Sequence, residues 1–365
     1  MPEGGKGGPM GLKILHSADW HIDAPLTSLE PGDRELLREC LRRLPSLTAD
    51  LCHLEACDLV LLSGDLLDGP VSRNALDALK QGLEDCGVPV FIAPGNHDYC
   101  SPDSPWLTES WPENVHIFTG GMESVALPEL DCRIWGAGYQ EMDCPPLLEG
   151  FHAEGEERWQ LCVIHGDPTR ADSPYSPVTA AQVEASGVQY LALGHVHSPG
   201  RYRSGDTLCA WPGCPMGKGW DETGEKGVFL VTLDEETKLQ WMPYPGFRFY
   251  QETVEIGEDP LEALKQVLPA GDSMDFYRIT LTGRGEPDVD ELKKAFSGIP
   301  RLKLRDKTLP PIELWAGAGE DTLEGVFFRM LRDAAMEAED RDRQQLLLAA
   351  KLSRQLLEGR EVKLP

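Results

Sequence analysis

Asp19-Trp20-His21, Gly64-Asp65-Leu66-Leu67-Asp68, Gly95-Asn96-His97-Asp98, His165-Gly166 and Gly194-His195-Val196-His197 place carboxylates, imidazoles and one amide along the first part of the chain. Oxygen and imidazole donors together suit manganese, with iron or zinc as alternatives, better than magnesium or calcium alone. Two such divalent ions about 3.5 to 4 Å apart activate a shared water and neutralise charge on a phosphoryl group. The chemistry expected of this donor set is phosphoester hydrolysis. A metal pair needs a carboxylate that bridges, and Asp65 is the natural choice. One Asp-x-His or His-x-His alone is common by chance, so the weight lies in the ordered set of five.

Each motif follows a stretch that reads as a strand: 12–16, 58–62, 89–93, 160–164 and 190–193, with a further strand at 132–135. A rigid sheet ending in polar loops is a sound way to aim several side chains at one point. Between the strands, 33–57 has helical spacing broken at Pro45, 72–86 reads as an amphipathic helix opened by a capping residue, and 179–185 as a short helix. Alternating strands and helices predict an α/β fold. Past Ser198, hairpin-like strands at 228–233 and 239–242 suggest a β-rich closing layer. Gly64, Gly95, Gly166 and Gly194 are expected to permit tight turns or positive φ beside the ligands.

The segment 243–246 marks a boundary. The order beyond it, strand 250–256, helix 260–267, strand 275–281, helix 289–296 and strand 302–305, predicts a smaller α+β unit. Residues 322–357 are helix-friendly, with the charged run 337–343 as a solvated bend or face. The expected division is a disordered leader at 1–11, a catalytic domain at 12–245, an α+β domain at 246–318 and a C-terminal helical segment at 319–365.

The chain has 365 residues, 41% apolar and 26% charged, the mixture of a soluble globular protein. No apolar run approaches the roughly 20 residues of a membrane span, so no membrane partner is expected. Ten cysteines without C-x-x-C spacing or a secretory context fit reduced thiols and a cytoplasmic location. The net charge is −27, of which −22 falls on residues 1–246, −3 on 247–318 and −2 on 319–365. Duplex-binding proteins usually carry a basic stripe, and this chain has none; Arg170, Arg201, Arg203 and Lys218 lie near the motif loops in sequence.

Taken together, D-x-H, G-D-x-x-D, G-N-H-D, a His before Gly and G-H-x-H resemble the signature of the calcineurin-like metallophosphoesterase superfamily, over roughly residues 12–245. The resemblance implies a phosphoesterase β-sandwich flanked by helices. It implies that Asp19, His21 and His197 bind one metal, that Asn96, His165 and His195 bind the second, and that Asp65 bridges. His97 matches a non-ligand histidine that protonates the leaving oxygen, and Asp68 and Asp98 match supporting positions.

G-N-H-D with G-H-x-H points away from Ser/Thr protein phosphatases and towards the DNA-repair exonuclease branch, the SbcD-type nuclease subunits and their YhaO-like relatives. The stretches 14–25, 212–218 and 221–228 carry that likeness, and it extends to the unit after Gly246, which resembles a capping domain. The branch implies a homodimer acting on DNA with an ABC-type coiled-coil ATPase, docked through 322–357. The expected function is therefore a manganese-dependent DNA exo- or endonuclease subunit. The alternatives are a small-molecule phosphodiesterase or phosphatase with the same metal pair, and a non-enzymatic scaffold. Phe247, Phe249 and Tyr250 could stack on bases or pack as an edge strand, and Trp20 could line a groove or pack behind the metals.

Overall fold

The structure, a computed structural model, describes residues 11–257, 259–309, 313–357 and 359. The leader expected at 1–11 lies, apart from Gly11, outside the described residues. The chain divides into two compact units, 1–250 and 251–365.

The first unit is built on two six-stranded sheets. One runs, from edge to edge, Lys238–Pro243, Gly227–Leu233, Leu12–Ser17, Leu59–Leu62, Val90–Ile92 and Val115–Ile117. The other runs Glu123–Leu127, Cys132–Ala137, Trp159–His165, Tyr190–Gly194, Thr207–Trp211 and Gly200–Ser204. Alternate residues of each strand share a face, and the inward faces form one core: Leu12, Ile14, Leu61 and Phe91 from the first sheet, Ile134, Leu161, Val163 and Ala192 from the second. A second apolar layer, including Ile164, Leu191, Leu193 and Cys209, covers the far face of the second sheet and takes in Val183 of the helix Ala180–Ala185. The arrangement is the helix-flanked β-sandwich that the sequence predicts.

Local rules account for the helices. Pro31–Arg42 and Leu44–Glu55 meet at Arg43, and Pro45 sits in the first turn of the second helix, where its missing N–H is not needed. Ser72 caps Arg73–Asp85, its hydroxyl accepting from the Ala75 N–H. Thr179 and Gln182 form a reciprocal capping box at the start of Ala180–Ala185.

One expectation is revised. The hairpin of Gly227–Leu233 and Lys238–Pro243 does not close the domain as a separate layer; it extends the first sheet, pairing antiparallel with Leu12–Ser17. Gly227–Leu233 is buried at six of seven positions, so it needs cover on both faces and a strand on either side. The second layer is formed instead by residues 123–211.

The neighbouring pairs Leu12–Ser17 with Leu59–Leu62, Leu59–Leu62 with Val90–Ile92, and Trp159–His165 with Tyr190–Gly194 are parallel. Their carboxyl ends therefore share one edge of the sandwich, where open α/β sheets place ligands.

Phe249–Glu255, which enters the second unit at Gln251, forms a three-stranded sheet with Phe276–Thr282 and Leu302–Asp306, with helices Pro260–Lys265 and Val289–Ala295 between its strands in sequence. The last two strands are parallel. Helix Leu323–Glu337, capped by Thr322, and helix Asp340–Leu357 pack around Phe328, Ala350 and Ala318. Among the described residues, no helix is long and apolar enough to cross a membrane. The ten cysteines are free thiols, nine of them buried.

Candidate metal centre

All seven residues expected to hold metals converge at the shared edge. Leu12–Ser17 delivers Asp19 and His21, Leu59–Leu62 delivers Asp65, and Val90–Ile92 delivers Asn96; the second sheet delivers His165, His195 and His197. Asp19, His21 and His197 offer ligand atoms that lie within 4.8 Å of one another, and so do Asp19, Asp65 and His165. Asp19 belongs to both groups, and Asp65 reaches a histidine of each, its Oδ2 3.8 Å from His21 Nε2 and 3.4 Å from His165 Nε2. Asn96 Oδ1 is 3.0 Å from His165 Nε2 and 3.2 Å from His195 Nδ1.

The backbone is held in an unusual state here. Asp19, His21, Asp65 and His195 have φ of 55°, 48°, 52° and 94°, the left-handed region that side chains other than Gly seldom adopt. Strain of this kind persists where the surroundings over-determine it and gathers at functional sites. Of the four glycines expected to permit tight turns or positive φ, Gly64 alone has positive φ, at 90°. Gly95 serves close approach instead, since a Cβ there would run into the Asp65 carboxylate and the His165 ring.

Asp98 explains how two motif loops stay in register. Its buried carboxylate accepts from the N–H groups of Gly95 at 2.7 Å, Leu66 at 2.8 Å, Asp65 at 3.2 Å and Leu67 at 3.2 Å. Burial and the neighbouring Asp65 charge push this carboxyl up to about 7, against the Gly95 and Leu67 N–H groups and the nearby His165. Burial also acts to raise Asp65, but the facing histidines and the His97 N–H, 2.9 Å from its Oδ1, outweigh that and hold it below the usual carboxylate range.

The distal nitrogens test whether cations fit. His21 Nδ1 lies 3.2 Å from Asp68 Oδ2 and His197 Nδ1 lies 2.6 Å from Glu222 Oε1. Carboxylates only accept, so each ring carries its proton on Nδ1 and presents a lone pair at Nε2. Those two Nε2 atoms face each other at 3.2 Å. Burial, with the Lys218 charge, lowers the His21 pKa against the carboxylates of Asp68, Asp65 and Asp19. The second group repeats the pattern: His165 Nδ1 donates to the Ser63 carbonyl at 2.8 Å, leaving Nε2 pointed at the oxygens of Asn96 and Asp65. Lone pairs aimed at lone pairs in a buried site call for positive charge between them, and this donor set fits two divalent ions.

His97 stands beside this cluster with its side chain 44% exposed. Its Nδ1 is 3.2 Å from Asp68 Oδ1 and its ring meets His21 edge to face at 4.7 Å. The Asp68 hydrogen bond raises the His97 pKa against the effect of burial. Asp68, which burial alone would raise, is held well below its ordinary range by its bonds to His21 and His97.

Two acidic residues at the site have no place in the motif reading. Glu222, 8% exposed, backs His197, and Asp167 Oδ2 lies 3.8 Å from His195 Nε2. Asp167 directly follows His165-Gly166, a position the sequence offered; Glu222 lies in the 221–228 stretch, at no spacing that ties it to His197. Trp20 is buried with its indole N–H on Ser17, and so packs behind the site. Phe249 is fully buried against Trp220 and is not available for base stacking. Of the four basic residues noted in sequence, Lys218 reaches the site, with Nζ 3.6 Å from Glu222, whereas exposed Arg170 pairs with Asp172 and Arg203 bonds the Thr237 carbonyl.

Residues 12–199 match the family described as calcineurin-like phosphoesterase. The chain is 30% identical over 246 residues to the uncharacterized metallophosphoesterase YhaO of Bacillus subtilis, covering 60% of this chain and 57% of that one. It is 25% identical to the DNA double-strand break repair protein Mre11 of Aeropyrum pernix, covering 55% and 53%, and 22% identical to the SbcD subunit of the nuclease SbcCD of Bacillus subtilis, covering 63% and 68%. The matches to YhaO and Mre11 span little more than half of those proteins. A family match over more than half of the chain, on top of the motif loops and the sandwich that carries them, makes this protein a member of the calcineurin-like phosphoesterase family.

Proposed function

We propose that the protein is a binuclear metal-dependent phosphodiesterase acting on DNA, the nuclease subunit of a repair complex, with manganese as its metal. The observation that carries the hydrolytic part is the buried His21 Nε2 and the half-buried His197 Nε2 facing each other at 3.2 Å with their far sides tied to carboxylates. Two divalent cations, when bound, lower the pKa of a water and neutralise charge on the phosphoryl oxygens. The chain's own residues do the rest. Asp65, Asp19 and Asn96 fix the oxygen donors, and Asp98 holds the backbone that presents Asp65. His97, with Nδ1 engaged by Asp68, holds a proton at Nε2 for the departing oxygen, in keeping with its half-exposed position and raised pKa.

DNA as substrate is supported by the relatives named as a break-repair protein and as a nuclease subunit. A homodimer, and an ABC-type coiled-coil ATPase docked on 322–357, belong to the same proposal; the exposed Leu323, Met330, Leu356 and Leu357 offer apolar surface there. The second reading, a small-molecule phosphodiesterase or phosphatase, is favoured by the net charge of −22 on residues 1–246, which repels a polyanion. Hydrolysis of end-labelled linear DNA, measured beside bis-p-nitrophenyl phosphate with Mn2+, separates them. The nuclease proposal expects both substrates to be cut, and turnover of the nitrophenyl ester alone, with the ATPase present, overturns it.

A further inference from the structure

We propose that Glu222 is a positioning residue that orients His197 and sets the affinity of one metal position above that of the other; the proposal rests on the metallophosphoesterase reading. Both oxygens of its buried carboxylate are committed as acceptors. Oε1 takes the His197 Nδ1–H at 2.6 Å, and Oε2 takes the Lys218 N–H at 2.7 Å and the Cys214 thiol at 3.6 Å. The segment 214–222 is thus stitched to a ligand that leaves a different strand end. The Lys218 ammonium lies 3.6 Å from the same Oε1 that holds the imidazole.

The two metal positions differ in what stands behind their histidines. His21 and His197 are backed within hydrogen-bond distance by the carboxylates of Asp68 and Glu222; in the other position His165 is backed by the neutral Ser63 carbonyl, and the carboxylate nearest His195, that of Asp167, stands off at 3.8 Å. An anionic acceptor makes an imidazole a better donor and locks its ring, and losing such a partner costs about 10- to 100-fold in metal affinity. The position built on His21 and His197 is therefore the tighter one, and Glu222 is part of the reason. Glutamine cannot replace it, because an amide has one accepting oxygen and the site asks for two.

Calorimetric titration of Mn2+ into the metal-stripped full-length chain tests this. Wild type should show two binding events of unequal affinity, and Glu222→Gln should weaken the tighter one about 10- to 100-fold and leave the other in place. If Glu222→Gln does not fold, Glu222→Asp, which keeps both oxygens but withdraws them by one methylene, should weaken the same event alone. A variant that melts at lower temperature without metal yet binds both ions as wild type does would show Glu222 to be only a stitch, and overturns the inference. Wild type binding no Mn2+ overturns the manganese-dependent function proposed above, and this inference with it.

Discussion

At the scale of single residues, His97 and Asp98 are adjacent in sequence and do unrelated work. His97 touches no expected ligand through its ring nitrogens; its Nδ1 is occupied by Asp68. His97→Ala should therefore lower kcat on DNA about 10²- to 10⁴-fold and leave Mn2+ binding intact. The loss should be smaller on bis-p-nitrophenyl phosphate, whose leaving group departs without a proton. Full activity of the variant on DNA would refute the role. Asp98 gathers four backbone N–H groups in a buried setting. Asp98→Asn offers one accepting oxygen and turns an amide towards the remaining donors. Urea denaturation of the metal-free protein should show a loss of about 1 to 3 kcal/mol, and an unchanged midpoint would mean the loops hold without it.

At the scale of elements, the inter-sheet layer ends in a polar plug. His16 is fully buried, with Nδ1 2.7 Å from the Tyr190 hydroxyl of the opposite sheet and Nε2 2.8 Å from Ser63 Oγ. Burial lowers its pKa from 6.5 to about 3, against a backbone hydrogen bond at Leu193 that raises it. Between those values the unfolded chain binds a proton that the folded chain refuses, so this contribution makes stability fall as pH falls from 6.5, by at most about 1.4 kcal/mol per pH unit. Above 6.5 it adds no slope. Urea midpoints of metal-free wild type and His16→Gln at about pH 7 and pH 5 should diverge, with the wild type losing more; parallel losses would assign the acid sensitivity elsewhere. The sheet pairing itself was only partly legible. The motif strands announce themselves as apolar runs, but the place of Gly227–Leu233 beside Leu12–Ser17 depends on contacts far apart in sequence, and no local pattern encodes it. Val115–Ile117 is three half-buried residues and gives no period to read.

At the scale of the whole molecule, an acidic chain concentrates its buried donors where positive charge must enter. Chelation should lower the melting temperature, and Mn2+ should restore it in a concentration-dependent way, by about 2.7 kcal/mol per site at a free concentration 100 times Kd; no shift by differential scanning calorimetry would contradict a resident metal pair. The seven convergent residues were legible because each motif fixes its own residues within a few positions of a strand end. Glu222 was not, because the 25 positions separating it from His197 carry no period and only folding brings them within 2.6 Å. Nor was the left-handed backbone, which falls on Asp19, His21, Asp65 and His195 and, of the four motif glycines, on Gly64 alone. The provenance of the donors has a mechanical consequence. Asp19, His21, Asp65 and Asn96 leave one sheet, and His165, His195 and His197 leave the other. Ions held between them would act as rivets through two plates, adding to the buried hydrogen bonds from His16 to Tyr190 and from His165 to Ser63, so the metal-loaded sandwich should yield to shear at a higher force than the stripped one.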